Sequence, residues 1–204
     1  MNRLRRGIIV SLFIALVSPM CFAGDQVESE TAQKGYKIGD TVEPFTLQCQ
    51  EGHDQDLSEI LGKKIVVLDF WNMQCPVSKG FEEQLKGIAK AYEEKEVVFY
   101  AIDSNTINSV EAIKKYAEEN KLNYAVLKDI DNKIADKFDA AVTPEVFVIG
   151  KDKTIQYHGA ISDNMDPTKI QHHYLTAALD SLLEGKPVEV KESKAFGCGI
   201  KRTK

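Results

Sequence analysis

The stretch Ile65-Val66-Val67-Leu68-Asp69-Phe70-Trp71-Asn72-Met73-Gln74-Cys75-Pro76-Val77-Ser78 decides how the chain folds. Its first seven residues are nearly continuously apolar, interrupted by Asp69, as expected of a central strand covered on both faces. Pro76 is favoured in the first turn of a helix. Beyond it Val77, Phe81, Leu85, Ile88 and Tyr92 recur at spacings of four, four, three and four, one face of an α-helix. Cys75 therefore falls at a helix start, where the backbone dipole and unpaired N–H groups favour thiolate over thiol. The alternative is a buried, inert cysteine; Pro76 argues against it by placing Cys75 at the helix edge.

Outward from this turn, residues 45–49 and 55–57 flank a Gly-containing polar stretch and read as a hairpin. Residues 97–103 form a second buried strand, 109–119 a helix, 124–127 a short strand and 131–138 a short helix. Strands follow at 146–149 and, after Lys151-Asp152-Lys153, at 154–158. A final helix is predicted over 167–183, with Ile170, Tyr174, Ala178 and Leu182 along one face and Gly185 and Pro187 stopping it. The β-α-β order implies parallel pairing with right-handed crossovers. The fold class is α/β.

The chain has 204 residues, 28% charged and 43% hydrophobic, which suits one globular domain with appendages. Residues 1–23 combine Arg3, Arg5 and Arg6 with an apolar run and a small residue, Ala23, and read as a secretory signal peptide rather than a membrane span, which needs about 18 to 20 apolar residues. The expected location is periplasmic or secreted. Residues 24–36 read as a polar linker, 37–187 as the folded domain and 188–204 as a tail. Removing residues 1–23 takes three of the 26 basic residues and none of the 31 acidic ones, leaving 23 against 31, a net charge of −8. Such an anionic surface argues against nucleic acid as a partner. Export permits disulfides, and the remaining cysteines are Cys49, Cys75 and Cys198, so one intramolecular pair leaves one thiol over.

Residues 67–78 resemble the active-site region of thioredoxin-fold proteins, in which a strand ending Asp-Phe-Trp leads into Cys-x-x-Cys. Val142-Thr143-Pro144-Glu145-Val146-Phe147 is similar to that family's cis-proline loop, and Gly197-Cys198-Gly199-Ile200-Lys201 resembles the ending of exported peroxiredoxin-like redoxins. The resemblance spans residues 37–184 and implies a central mixed β-sheet flanked by helices. It implies Cys75 as nucleophile, Asp69 as a buried acid exchanging protons beneath it, and a substrate-binding surface at Trp71, Pro76, Thr143 and Pro144. Thr143 would offer its backbone to an extended substrate; the plainer reading is an ordinary X-Pro turn. Asp69 has its own plainer reading, a partly exposed residue at a strand end. Ser78 replaces the second cysteine, so a mixed disulfide on Cys75 cannot be resolved by its helical neighbour, although the Ser78 hydroxyl can hydrogen-bond the thiolate. The ending of the chain then implies Cys198 as the resolving partner of Cys75. A structural Cys49–Cys198 bridge stands beside it as a nearly even alternative.

These features predict an exported thiol-disulfide oxidoreductase acting on protein thiols or disulfides, or small thiols, with an external electron donor. Two other readings compete. A peroxiredoxin-type thiol peroxidase needs a Thr and an Arg at the cysteine, yet Leu68 and Asn72 stand where P-x-x-x-T-x-x-C requires Pro and Thr, and the only arginine beyond residue 6 is Arg202. Lys does not reproduce a bidentate guanidinium. A noncatalytic redox or metal-binding module needs clustered ligands, whereas adjacent His172 and His173 diverge by roughly 100° on a helix, and His53 and His158 stand alone in sequence and read as surface residues. No metal site and no cofactor is expected: no Gly-rich phosphate loop or Ser-His-Asp signature is present.

Overall fold

Alternation along one strand sets the layers of this molecule. In the computed structural model, which describes residues 35–203, β3 (Ile65–Phe70) is wholly buried. Ile65 and Val67 face one hydrophobic core with Trp71, while Val66, Leu68 and Phe70 face the other. The same alternation puts Asp69 on the Val67 side. The remaining elements are β1 (Thr46–Cys49), β2 (Asp54–Asp56), α1 (Pro76–Ala91), β4 (Val97–Asp103), α2 (Val110–Glu119), β5 (Ala125–Lys128), α3 (Lys133–Phe138), β6 (Val142–Thr143), β7 (Glu145–Ile149), β8 (Ile155–Gly159), α4 (Tyr174–Leu183) and β9 (Cys198–Gly199).

Seven strands make a mixed sheet in the order β2-β1-β5-β4-β3-β7-β8. β3, β4 and β5 run parallel, joined by helical crossovers, and the other neighbours pair antiparallel. One core packs Phe81, Leu85 and Ala89 of α1, Ile113 of α2 and Leu175, Ala178 and Leu179 of α4 against the sheet. The other packs Ile134, Ala135 and Phe138 of α3 with Leu57, Leu61 and Val42. Each such valine, leucine, isoleucine or phenylalanine side chain contributes about 1.5–3 kcal/mol by leaving water. The α/β, thioredoxin-like architecture read from the sequence is the observed one.

Three sequence expectations need correction. The last helix does not begin at Pro167: residues Pro167–Lys169 form a single 3₁₀ turn capped by Asp166, Ile170 is extended, and α4 begins at Tyr174. The four-residue spacing of Ile170 and Tyr174 is thus accidental, and the buried face of α4 is Leu175, Ala178 and Leu179. The helix predicted over residues 131–138 is interrupted at its start, because Asp131 and Asn132 adopt positive φ and only Lys133–Phe138 is helical. The packed region also starts before Lys37: Tyr36 donates its N–H to the Lys137 carbonyl at 2.9 Å and its ring meets Phe138 edge-on at 4.9 Å. The predicted signal peptide, with Cys21, lies outside the described residues. Among the described residues no helix is long and apolar enough to cross a membrane.

Candidate active site

Cys75 is the N-cap of α1, with Pro76 opening the helix as its sequence position implies. The turn before it is shaped by Asn72, whose carbonyl accepts the Cys75 N–H at 2.9 Å and whose Oδ1 accepts the Gln74 N–H at 2.9 Å. Asn72 is itself held by Asn108, whose Nδ2 donates to its Oδ1 at 3.1 Å. Cys75 is 1% exposed, and its sulfur is hydrogen-bonded. It accepts the Ser78 N–H at 3.4 Å and, as a thiol, donates to the Thr143 carbonyl at 3.1 Å.

The third wall of the site is the chain's own tail. β9 pairs antiparallel with β6, opposing Cys198 to Thr143 and Gly199 to Val142. Cys198 is thereby set opposite Thr143, whose carbonyl accepts the Cys75 thiol, close enough for the two cysteines to shift each other's ionisation. Gly197 lies so close to the Thr143 carbonyl that a β-carbon there would overlap it, which only glycine avoids. Phe196 anchors the approach by packing on Phe81 of α1 at 5.6 Å. Cys49 lies elsewhere, on β1 opposite Leu127 and in the core remote from α1. Among the described residues, Cys49, Cys75 and Cys198 are free thiols.

The electrostatics follow from these contacts. Burial works against ionising Cys75, but hydrogen bonds from the Cys198 side chain, the Ser78 N–H, the Thr143 side chain and the Cys198 backbone outweigh it and bring its pKa from 9.0 to about 7. Cys198 is pushed up, first because its side chain is committed to Cys75, then by burial and by the Cys75 charge. Asp69, 2% exposed, leaves its Oδ1 without a partner among the described residues. Burial first and the Cys75 charge second raise its carboxyl to about 8, against one backbone hydrogen bond from Glu145. It is a buried acid, not an exposed strand-end residue.

Several expected roles change with the geometry. The Ser78 hydroxyl is buried and has no hydrogen-bond partner among the described residues; it is the Ser78 backbone N–H that reaches the sulfur. Trp71 is 1% exposed and its ring packs on Tyr116 at 5.3 Å, so it serves the core and is not presented to a substrate. Pro76 is exposed beside Cys75. The Thr143–Pro144 bond is cis, unlike an ordinary X-Pro turn, but the Thr143 backbone already pairs with β9 and is not open to an extended substrate while the tail is docked.

Other residues went unread in the sequence. Glu145, 6% exposed, accepts the N–H groups of Ala141 at 2.7 Å and Val142 at 3.1 Å and lies 2.6 Å from His158 Nε2, so it fixes the loop that carries Thr143. The sequence signal was present: a charge at the head of an apolar strand must be paired, as for Asp69. His158, expected as a surface residue, is instead this partner, stacked on Phe147 at 4.1 Å. His53, His172 and His173 are exposed. Arg202 binds the Ala140 carbonyl and Asp136, each through a contact of 2.9 to 3.0 Å.

The pattern of the AhpC/TSA family matches residues 38–158. The chain belongs to the AhpC/TSA family. It is similar to the thiol-disulfide oxidoreductase ResA of Geobacillus kaustophilus, 23% identical over 143 residues that cover 70% of this chain and 79% of ResA. It is also similar to the chloroplastic peroxiredoxin Q of Sedum lineare, 29% identical over 125 residues covering 58% of this chain and 66% of that protein. Among solved structures, an uncharacterized conserved protein from Geobacillus kaustophilus superposes with a TM-score of 0.76 at 32% identity, covering 82% of this chain and 93% of its own. This AhpC/TSA member is a thioredoxin-fold redoxin.

Proposed function

We propose that this AhpC/TSA-family redoxin is an exported thiol-disulfide oxidoreductase in which Cys75 attacks and Cys198 resolves. Thiol redox chemistry is common to the relatives; the finer assignment draws its support from one observation, the seating of Cys198 against Cys75 through β6–β9 pairing. In this reading the tail lifts to admit substrate. The Cys75 thiolate attacks one sulfur of a disulfide R–S–S–R′, forming Cys75–S–S–R and releasing R′S⁻. Asp69, protonated through burial, is the proton store beneath the site. The Cys198 thiolate then attacks the Cys75 sulfur, the intramolecular disulfide forms and RS⁻ departs. An external thiol donor returns both cysteines to thiols. It attacks Cys198, the more exposed sulfur, and expels Cys75, the better leaving group because its pKa is lower.

The test is a trap. Reduced Cys198→Ser protein mixed with oxidised glutathione is expected to accumulate a Cys75–glutathione adduct, whereas wild type passes through it to an internal disulfide. Absence of any adduct on Cys75 overturns the assignment. A second reading, thiol peroxidase, is favoured by the family and by the likeness to peroxiredoxin Q. Against it, the one arginine among the described residues is bound at Ala140 and Asp136. Rapid peroxide consumption lost in Cys75→Ser favours that reading.

A further inference from the structure

The residues beyond Cys198 make more polar contacts than a loose tail needs. Ile200 donates its N–H to the Ala141 carbonyl at 3.0 Å. The Lys201 N–H reaches Asn105 Oδ1 at 2.9 Å, and the Thr106 N–H returns a bond to the Lys201 carbonyl at 3.2 Å. The Thr203 N–H reaches Asn132 Oδ1 at 2.9 Å. Asn105 and Asn132 are 0% and 1% exposed, an unusual burial for amide side chains. Such a group is kept in a core only when it is hydrogen-bonded. The Asn105 amide Nδ2 has no partner among the described residues, so its bond to the tail is the side chain's one polar contact.

Both asparagines are anchored from behind. The Asn105 N–H donates to Asp103 Oδ1 at 2.9 Å, and Lys128 Nζ bridges Asp103 Oδ1 and the Asn105 carbonyl at 3.0 and 2.6 Å. Asn132 Nδ2 bonds the Ser104 carbonyl. The other oxygen of Asp103 accepts from Asn108, which holds Asn72, which holds the Cys75 N–H. One buried carboxylate at the end of β4 therefore supports both the turn that carries Cys75 and the asparagine that grips the tail of Cys198.

We infer that Asn105 and Asn132 are positioning residues for Cys198, latching the tail so that the resolving thiol is held on Cys75. The inference rests on the Cys75–Cys198 reading above. Its physical content is effective concentration: a docked tail makes resolution intramolecular and pre-oriented, and a loosened one does not. Unlatching has three consequences. Resolution of a Cys75 mixed disulfide slows. Cys75, buried beneath the tail, becomes easier to reach once ionised. Its ionisation midpoint rises because the Cys198 donors leave it.

The experiment mixes the reduced full chain with oxidised glutathione, quenches with acid and follows Cys75–glutathione and Cys75–Cys198 by mass spectrometry. The variants are Asn105→Ala, Asn132→Ala and Lys201→Pro. The last removes the tail N–H at an exposed residue and deletes no buried side chain, so the test survives a folding failure of the asparagine variants. Loss of one such hydrogen bond is expected to slow resolution about 5-fold to 10-fold. Alkylation of Cys75 above pH 8 is expected to be faster than in wild type, with the midpoint raised in the same direction as is expected for Cys198→Ala. A merely structural role leaves this pattern unmoved. Resolution in Lys201→Pro within twofold of wild type, with an unchanged midpoint, overturns the latch while leaving the Cys75–Cys198 reading intact. Failure of wild type itself to form the internal disulfide overturns both.

Discussion

Replacing Asp69 with Asn probes the buried acid through stability rather than turnover. The Asp69 carboxyl is held at about 8, chiefly by burial and next by the Cys75 charge, while its ordinary value is 3.8. Between those values the folded chain holds a proton that the unfolded chain has released, so folding stability falls as pH rises. The fall is about tenfold in the folding equilibrium per pH unit, hence about 3 kcal/mol between pH 5 and pH 7. Below about pH 4 both states are protonated and above about pH 8 both are ionised, so the slope vanishes outside that window. Asparagine has nearly the same shape and is neutral in both states. Other groups also titrate, Glu145 among them with a depressed pKa, so the informative quantity is the difference between variant and wild type. Urea unfolding of both reduced proteins at pH 5, 6 and 7 measures it. The stability of Asp69→Asn relative to wild type is expected to grow by about 3 kcal/mol over that range. Parallel curves would refute the reasoning, because they require Asp69 to titrate alike in both states.

Ser78→Ala is expected to leave the pH midpoint of Cys75 alkylation near about 7, since the backbone N–H that reaches the sulfur remains; it should cost no stability, because the lost hydroxyl is buried and unpaired. A midpoint raised by a full unit means that the hydroxyl bonds the thiolate. Gly197→Ala drives a methyl group into the Thr143 carbonyl and should undock β9, read as lost amide protection at residues 198–201 in hydrogen exchange and faster alkylation of Cys75. Retained protection contradicts the close approach. Glu145→Gln removes the charge that binds two N–H groups and His158, at a cost of about 1.5–3 kcal/mol near pH 7. Because the folded pKa of Glu145 lies below its ordinary value, its contribution is present above that ordinary value and is lost as pH falls through the folded one. The penalty should therefore shrink in acid, and a pH-independent penalty argues for shape alone.

Local patterns made the centre of the fold legible. The apolar run at β3 fixed a buried strand, and Pro76 with the three- and four-residue spacing after it fixed α1 and set Cys75 at its start. The α4 boundary failed because Ile170 and Tyr174 happen to share helical spacing while Asp166 and Pro167 direct a single turn. No periodic rule registers a lone 3₁₀ turn or the positive φ of Asp131 and Asn132. At the site, residues adjacent in sequence were readable and those joined only by tertiary contact were not. Asn72 is held by Asn108 through a hydrogen bond spanning 36 residues. Asn105 shows its importance only once its burial is known. The tail could be read for its cysteine, but not for its occupation of the Thr143 edge, which depends on where the chain end returns.

The central claim is that Cys75 and Cys198 form the working redox pair. Peptide mapping of the reduced chain after one equivalent of a mild oxidant, with free thiols blocked before digestion, tests it most directly. The account predicts a Cys75–Cys198 disulfide as the dominant product, with Cys49 recovered as the blocked free thiol. Recovery of Cys49–Cys198 with Cys75 left free contradicts it.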